Sequence, residues 1–155
     1  MKLTSNEKAF LDMLAHSEGT AHIGDRGYNA LVGGGTFTTG YAHHPKQLVA
    51  LRNRAGQVVL KSDAAGRYQF LFATWAELKR KLNLPDFGPD SQDAACMELI
   101  AGHGALADVQ TGHIASAIAA CNRTWASLPG SPYGQPTHGF AELLAVYKAA
   151  GGVNA

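Results

Sequence analysis

Apolar residues recur at helical spacing near the start of the chain. Phe10, Leu11, Met13 and Leu14 form one stripe of a helix predicted over residues 5–17. Thr4-Ser5-Asn6-Glu7 opens it as a capping box, and Gly19 is placed to stop it. The period then changes. Residues 28–32 and 36–41 flank Gly33-Gly34-Gly35, which predicts a β-hairpin with a glycine turn. Residues 45–51 predict one or two helical turns. Val58-Val59-Leu60 predicts a strand of a second hairpin, with Gly56 in its turn. Helical spacing returns over 70–82, 91–100, the alanine-rich stretch 114–125, and 137–150, which Gly151 ends. Residues 129–136 read as a Pro/Gly loop.

No repeat, low-complexity tract or interdomain linker breaks this order. Residues 1–155 therefore read as a single α+β domain, mainly helical with a small antiparallel sheet lobe. A groove is expected between a sheet lobe and a helical lobe. The 46% hydrophobic fraction suffices for a core, and 16% charged residues argue against disorder. Thirteen basic against twelve acidic residues give a formal charge of +1. That leaves no basic excess for a nucleic-acid backbone or for direct binding to an anionic membrane. The first ten residues carry no apolar run, so neither a signal peptide nor a bilayer-crossing segment is expected. Cys96 and Cys121 sit in apolar helical contexts and are expected to be buried thiols.

Glu18 is the leading candidate for chemistry. It lies four residues past Leu14 and seven past Leu11, so it continues the buried stripe. Apolar surroundings and the negative end of the helix dipole both oppose its charged form and raise its pKa. A Glu that keeps its proton near neutral pH can serve as a general acid. Ala65-Gly66-Arg67-Tyr68-Gln69 combines a glycine that permits close approach, an aromatic ring and an amide, a mixture suited to sugars. The same residues also suit a plain helix start. Trp125 reads as core. Tyr133, flanked by Pro132 and Gly134, reads as a loop aromatic held out for a ligand. The glycine turn around Gly34 reads as a lip.

The seven histidines show no HExxH and no Cys-pair spacing, so no metal or other cofactor is expected. Glycoside hydrolysis usually takes two carboxylates. One common lysozyme spacing would put its second and third members at Gly27 and Gly33, so it is absent. Asp25 and Asp63 remain as partners but read as turn residues. A single Glu suits another route: it protonates the leaving oxygen, then takes a proton from a hydroxyl of the sugar itself.

Phe10-Leu11-Asp12-Met13-Leu14-Ala15 with Ser17-Glu18-Gly19-Thr20 resembles the opening of the phage lambda endolysin family. So do Val32-Gly33-Gly34, Phe37-Thr38, His44-Pro45, residues 65–69, Ser91-Gln92-Asp93-Ala94, Gly104-Ala105-Leu106, Trp125-Ala126-Ser127-Leu128-Pro129-Gly130 and Tyr133-Gly134-Gln135. The match runs nearly the full length, in order and with similar spacing. The resemblance implies a lysozyme-like fold and a monomeric soluble lytic transglycosylase. Its substrate would be the peptidoglycan glycan strand, cut between N-acetylmuramic acid and N-acetylglucosamine with a 1,6-anhydro end. It places the catalytic carboxyl on Glu18 and substrate contacts on Gly34, Gly66, Tyr68, Gln69 and Tyr133. It further implies residence in the host cytoplasm until a holin opens the inner membrane. Two departures stand out: His16 occupies a place often aromatic, where its protonated ring would lower the pKa that burial raises on Glu18, and Asn29 stands where the lambda sequence has Asp. A hydrolytic muramidase, a zinc-dependent wall amidase and an inactive wall-binding module are the competing readings.

Overall fold

A computed structural model describes residues 1–134 and 136–155. Its elements are α1 (Ser5–Ser17), β1 (Val49–Arg52), β2 (Val58–Ser62), α2 (Phe72–Leu82), α3 (Pro89–Gly102), α4 (Leu106–Thr111), α5 (Ile114–Cys121) and α6 (Phe140–Ala149). The chain divides into two compact units: Met1–Glu18 with Cys96–Ala155, and Gly19–Ala95.

The first unit is helical. The predicted capping box is present: Glu7 N–H donates to Thr4 Oγ1 at 3.2 Å, and Thr4 N–H to Glu7 Oε2 at 2.7 Å. Gln110 of α4 donates to the other oxygen of Glu7 at 2.9 Å. One carboxylate thus starts α1 and ties it to a second helix. Phe10, Met13 and Leu14 are buried, as are Leu143 and Tyr147 of α6, and α1 packs on both α4 and α6. Small alanines let α5 bury Ile114, Ile118 and Cys121. Both cysteines are buried thiols outside any disulfide, and burial pushes the Cys121 thiol up to about 12. Helix α4 went unpredicted; Gly104 and Gly112 bracket a segment too short to show a period.

The second unit holds the sheet. β1 and β2 pair antiparallel, Val49 opposite Ser62 and Leu51 opposite Leu60, with a bulge between Leu51 and Arg52. Two expectations fail here. The helical turns expected over 45–51 are replaced by a loop and β1. Lys46 has φ +51°, which no right-handed helix accepts, and β1 alternates between half-buried and exposed positions as a strand does. The hairpin expected around Gly33–Gly35 shrinks to one isolated bridge, Ala30 with Thr36, while Leu31 bridges instead to Ala65. Leu31 spends its N–H on the Gly35 carbonyl at 2.8 Å, closing a tight turn. The second hairpin formed as expected.

The same unit holds an aromatic cluster. The Trp75 and Phe87 rings meet edge to face at 4.6 Å, and Phe70 lies 5.5 Å from Trp75. His44 joins this cluster as a neutral ring. Its Nδ1 accepts from Lys46 N–H at 3.0 Å, so its Nε2 carries the hydrogen donated to the Phe70 carbonyl at 2.8 Å. Burial holds its pKa below the usual histidine range.

At the centre of this unit is Gln92, fully buried on α3. Its amide donates to the carbonyls of Tyr28 (2.9 Å) and Phe87 (2.8 Å), and its oxygen accepts from Arg67 N–H at 2.9 Å. One side chain therefore pins three loop segments that have no ladder of their own.

Candidate active site

Glu18 is the C-cap of α1. Its N–H closes on the Leu14 carbonyl at 2.8 Å, and Gly19 follows at φ +75°, a conformation suited to glycine. The apolar stripe carries this carboxyl into a half-buried position, as its spacing predicted. Ser127 Oγ donates to Glu18 Oε1 at 3.0 Å and lies 2.8 Å from Ser17 Oγ. Because Ser127 gives its proton to the carboxylate, Ser17 is the donor to Ser127. The hydroxyls form a short relay ending on Glu18.

The segment bearing Ser127 is held firmly. Trp125 and Leu128 are buried on either side, and Asn122 donates to the Pro129 carbonyl at 3.1 Å. Trp125 is thus a core residue, as expected. His138 N–H donates to the Ser127 carbonyl at 3.0 Å, which brings a second imidazole into the neighbourhood.

Burial raises the pKa of Glu18 to about 7, against the ordinary 4.5; the Ser127 hydrogen bond and the charge of His138 oppose that rise. The sequence had pointed to His16 as the tuning imidazole. The structure assigns that part to His138 instead. His16 Nε2 faces Glu142 Oε1 at 2.8 Å, and His138 Nδ1 faces the same oxygen at 3.1 Å. Among the described residues, His16, His138 and Glu142 form a group of three metal-capable side chains, with ligand atoms within 4.8 Å of one another. Sequence spacing missed it. His138 and Glu142 sit four apart, but His16 is far away in the chain.

The residues tied to sugar binding are placed as follows. Tyr133 is 57% exposed in its loop. Gln135 lies outside the described residues. Gly34 has φ +97° and open space where a side chain would begin. Gly66 has φ +84°, and a Cβ there would run into Gln92 Oε1. Its glycine character serves packing as well as the turn. Gln69, at φ +54°, donates to the Gly66 carbonyl at 2.9 Å and so steadies the 66–69 turn. Tyr68 departs from the expectation of a stacking ring. It is 2% exposed, and its hydroxyl donates to Asp93 at 2.6 Å beside that of Tyr28 at 2.9 Å. Two phenols on one carboxylate brace the loop from beneath. Asp25 sits in a turn, as its context suggested, and accepts from the Tyr41 hydroxyl at 2.9 Å, whereas Asp63 lies outside any turn and accepts from Phe72 N–H at the start of α2 at 3.2 Å.

A cavity beside α2, lined by Lys46, Phe72, Trp75, Lys79 and Arg80, has no carboxylate on its walls. It offers no acid for glycoside cleavage.

A family model described as Endolysin matches residues 8–154. The chain belongs to the endolysin family. It is 44% identical over 156 residues to the endolysin of Escherichia phage lambda, covering 98% of this chain and 95% of the relative. It is likewise 44% identical over 160 residues to that of Escherichia phage P2, covering 97% and 95%. A solved structure of bacteriophage lambda lysozyme complexed with a chitohexasaccharide superposes with a TM-score of 0.91 at 43% identity, over 100% of this chain and 99% of the other. A second lambda lysozyme structure gives 0.87, also at 43% identity and with the same coverage. The endolysin chain therefore has the lysozyme-like α+β fold expected from its sequence.

Proposed function

We propose that this endolysin degrades peptidoglycan by lytic transglycosylation, with Glu18 as its catalytic group. The observation that carries this reading is one carboxyl, raised by burial to about 7, at the end of a hydroxyl relay from Ser17 through Ser127. Protonated Glu18 gives its hydrogen to the glycosidic oxygen as the bond from the muramoyl C1 breaks. The resulting carboxylate takes the proton from the C6 hydroxyl of the same sugar, whose oxygen closes on C1. Glu18 ends protonated again, and no water is consumed. The engagement of Asp25 and Asp63 in turn and helix-start contacts supports a route that needs only one carboxyl. The chitohexasaccharide held by the lambda lysozyme supports a β-1,4-linked aminosugar strand as substrate.

In this scheme Tyr133 and the turns at Gly34, Gly66 and Gln69 contact the strand, while Tyr68 acts through Asp93 as a positioning residue. The enzyme works as a monomer and needs neither metal nor cofactor for cleavage. It resides in the host cytoplasm until a holin admits it to the wall. Among the described residues no helix is long and apolar enough to cross a membrane.

Mass spectrometry of fragments released from purified sacculi tests the reaction. Anhydromuramoyl ends are expected; reducing ends carrying oxygen from labelled water would make the enzyme a muramidase. New free amines from cleaved stem peptides would make it an amidase, and unaltered sacculi would leave only binding.

The acid form of Glu18 must be present in the free enzyme. kcat/KM is therefore expected to fall as pH rises through about 7. Ser127→Ala removes a donor that favours the carboxylate, so Glu18 should titrate higher and this limb should move to higher pH. A pH–rate profile of both proteins checks this; a limb that stays put contradicts the relay.

A further inference from the structure

We propose that His16, His138 and Glu142 bind a zinc ion that clamps the last turn of α1 to the first turn of α6. The inference is independent of how the glycan is cut. Two imidazole nitrogens from separate segments converge on one oxygen, Glu142 Oε1, at 2.8 and 3.1 Å. The two rings lie 5.4 Å apart and tilted by 56°, so each aims a nitrogen at the same point without stacking on the other. Two imidazoles and a carboxylate are a donor set that suits Zn²⁺, whereas Mg²⁺ and Ca²⁺ want oxygen alone.

The spacing is close to what the ion needs. Zn–N and Zn–O bonds of about 2.0–2.2 Å place tetrahedral ligands roughly 3.3–3.5 Å apart. The two hydrogen-bonded edges open by a few tenths of an ångström and the imidazole nitrogens, which lie within 4.8 Å of each other, close around the ion, which takes the place of the hydrogens that now bridge nitrogen to oxygen. Water completes the fourth position. The supports are rigid. His138 N–H is tied to the Ser127 carbonyl at 3.0 Å, His138 and Glu142 are four residues apart at the start of α6, and α6 is anchored by buried Leu143 and Tyr147. A site with two ligands on packed helices and the third tied by its backbone loses little freedom when the ion arrives.

Calorimetric titration of the metal-stripped full chain with ZnCl₂ tests the proposal, with thermal unfolding as a second readout. One equivalent is expected to bind. At a hundredfold excess over Kd the unfolding midpoint should rise by roughly 5–10 °C. His138→Ala and Glu142→Gln should each weaken binding by at least about tenfold. His103→Ala, which alters an exposed histidine elsewhere, should leave it unchanged. Circular dichroism confirms that each variant is folded. Co²⁺ in place of Zn²⁺ should give the intense visible bands of a tetrahedral site in the wild type alone. Absence of binding and of any midpoint shift overturns the proposal. So does binding that survives intact in both His138→Ala and Glu142→Gln, for the ion then sits on other histidines.

Discussion

Glu18→Gln is expected to abolish wall cleavage and, at alkaline pH, to make the protein more stable. The loss of activity follows from chemistry: an amide accepts the Ser127 hydrogen bond but cannot give up a proton to the glycosidic oxygen. Losing a positioned general acid costs about 10²–10⁴-fold in rate, and here the same group is also the base, so loss at or beyond the upper end is expected. The gain in stability follows from linkage. In the folded protein Glu18 titrates near 7, and in the unfolded chain near the ordinary 4.5. Between those values the folded state holds more protons, so folding stability falls as pH rises through the window. Above 7 the folded protein carries the full penalty of a half-buried carboxylate, about 3 kcal/mol. Gln is neutral throughout and carries none.

At pH 8 the variant should therefore melt roughly 6–12 °C higher than the wild type, and below pH 4.5 the two should converge. Thermal unfolding at both pH values, alongside turbidity loss of bare sacculi, checks both halves. A folded variant with full activity removes Glu18 from the mechanism. An inactive variant with no pH-dependent gain would mean that the carboxyl is an ordinary acid.

Gln92→Ala is expected to be the most damaging single change outside the site. It deletes the group that pairs with Arg67 N–H and with the carbonyls of Tyr28 and Phe87. A buried donor left unsatisfied costs about 1–3 kcal/mol, and the vacated volume adds to it. A total loss of about 4 kcal/mol is expected, which is a large share of a domain's stability. Urea denaturation should show a lower midpoint with an unchanged slope. A loss below about 1 kcal/mol would mean that the loops of Gly19–Ala95 hold one another without this amide. Gly66→Ala should fail for a related reason, since its methyl meets Gln92 Oε1 and its φ is +84°.

Local features were readable from residues alone, and long-range ones were not. The capping box, the buried stripe, Gly19 as stop and Glu18 on the buried face all lie within one helix, where side-chain period and capping chemistry decide the outcome. Trp125 as core and Asp25 in a turn were equally local. β1 was misread because its four residues show too little alternation, and the left-handed Lys46 that rules out a helix leaves no trace in residue type. Ser127 lies 109 positions from the carboxyl it serves. Nothing in the residues around Gln92 marks it as the centre of its unit, which its three partners make it. An aromatic shortly after a glycine suits a sugar platform, but Asp93, twenty-five positions on, draws the Tyr68 hydroxyl inward. Partners so distant in sequence give no local pattern to read.

Direct titration of the carboxyl tests the central claim most closely. In protein labelled with ¹³C at glutamate, the Glu18 side-chain carbon can be assigned by its absence in Glu18→Gln and followed across pH. A midpoint near 7 is predicted, moving upward in Ser127→Ala. A midpoint near 4.5, the value of an unperturbed glutamate, would contradict the account.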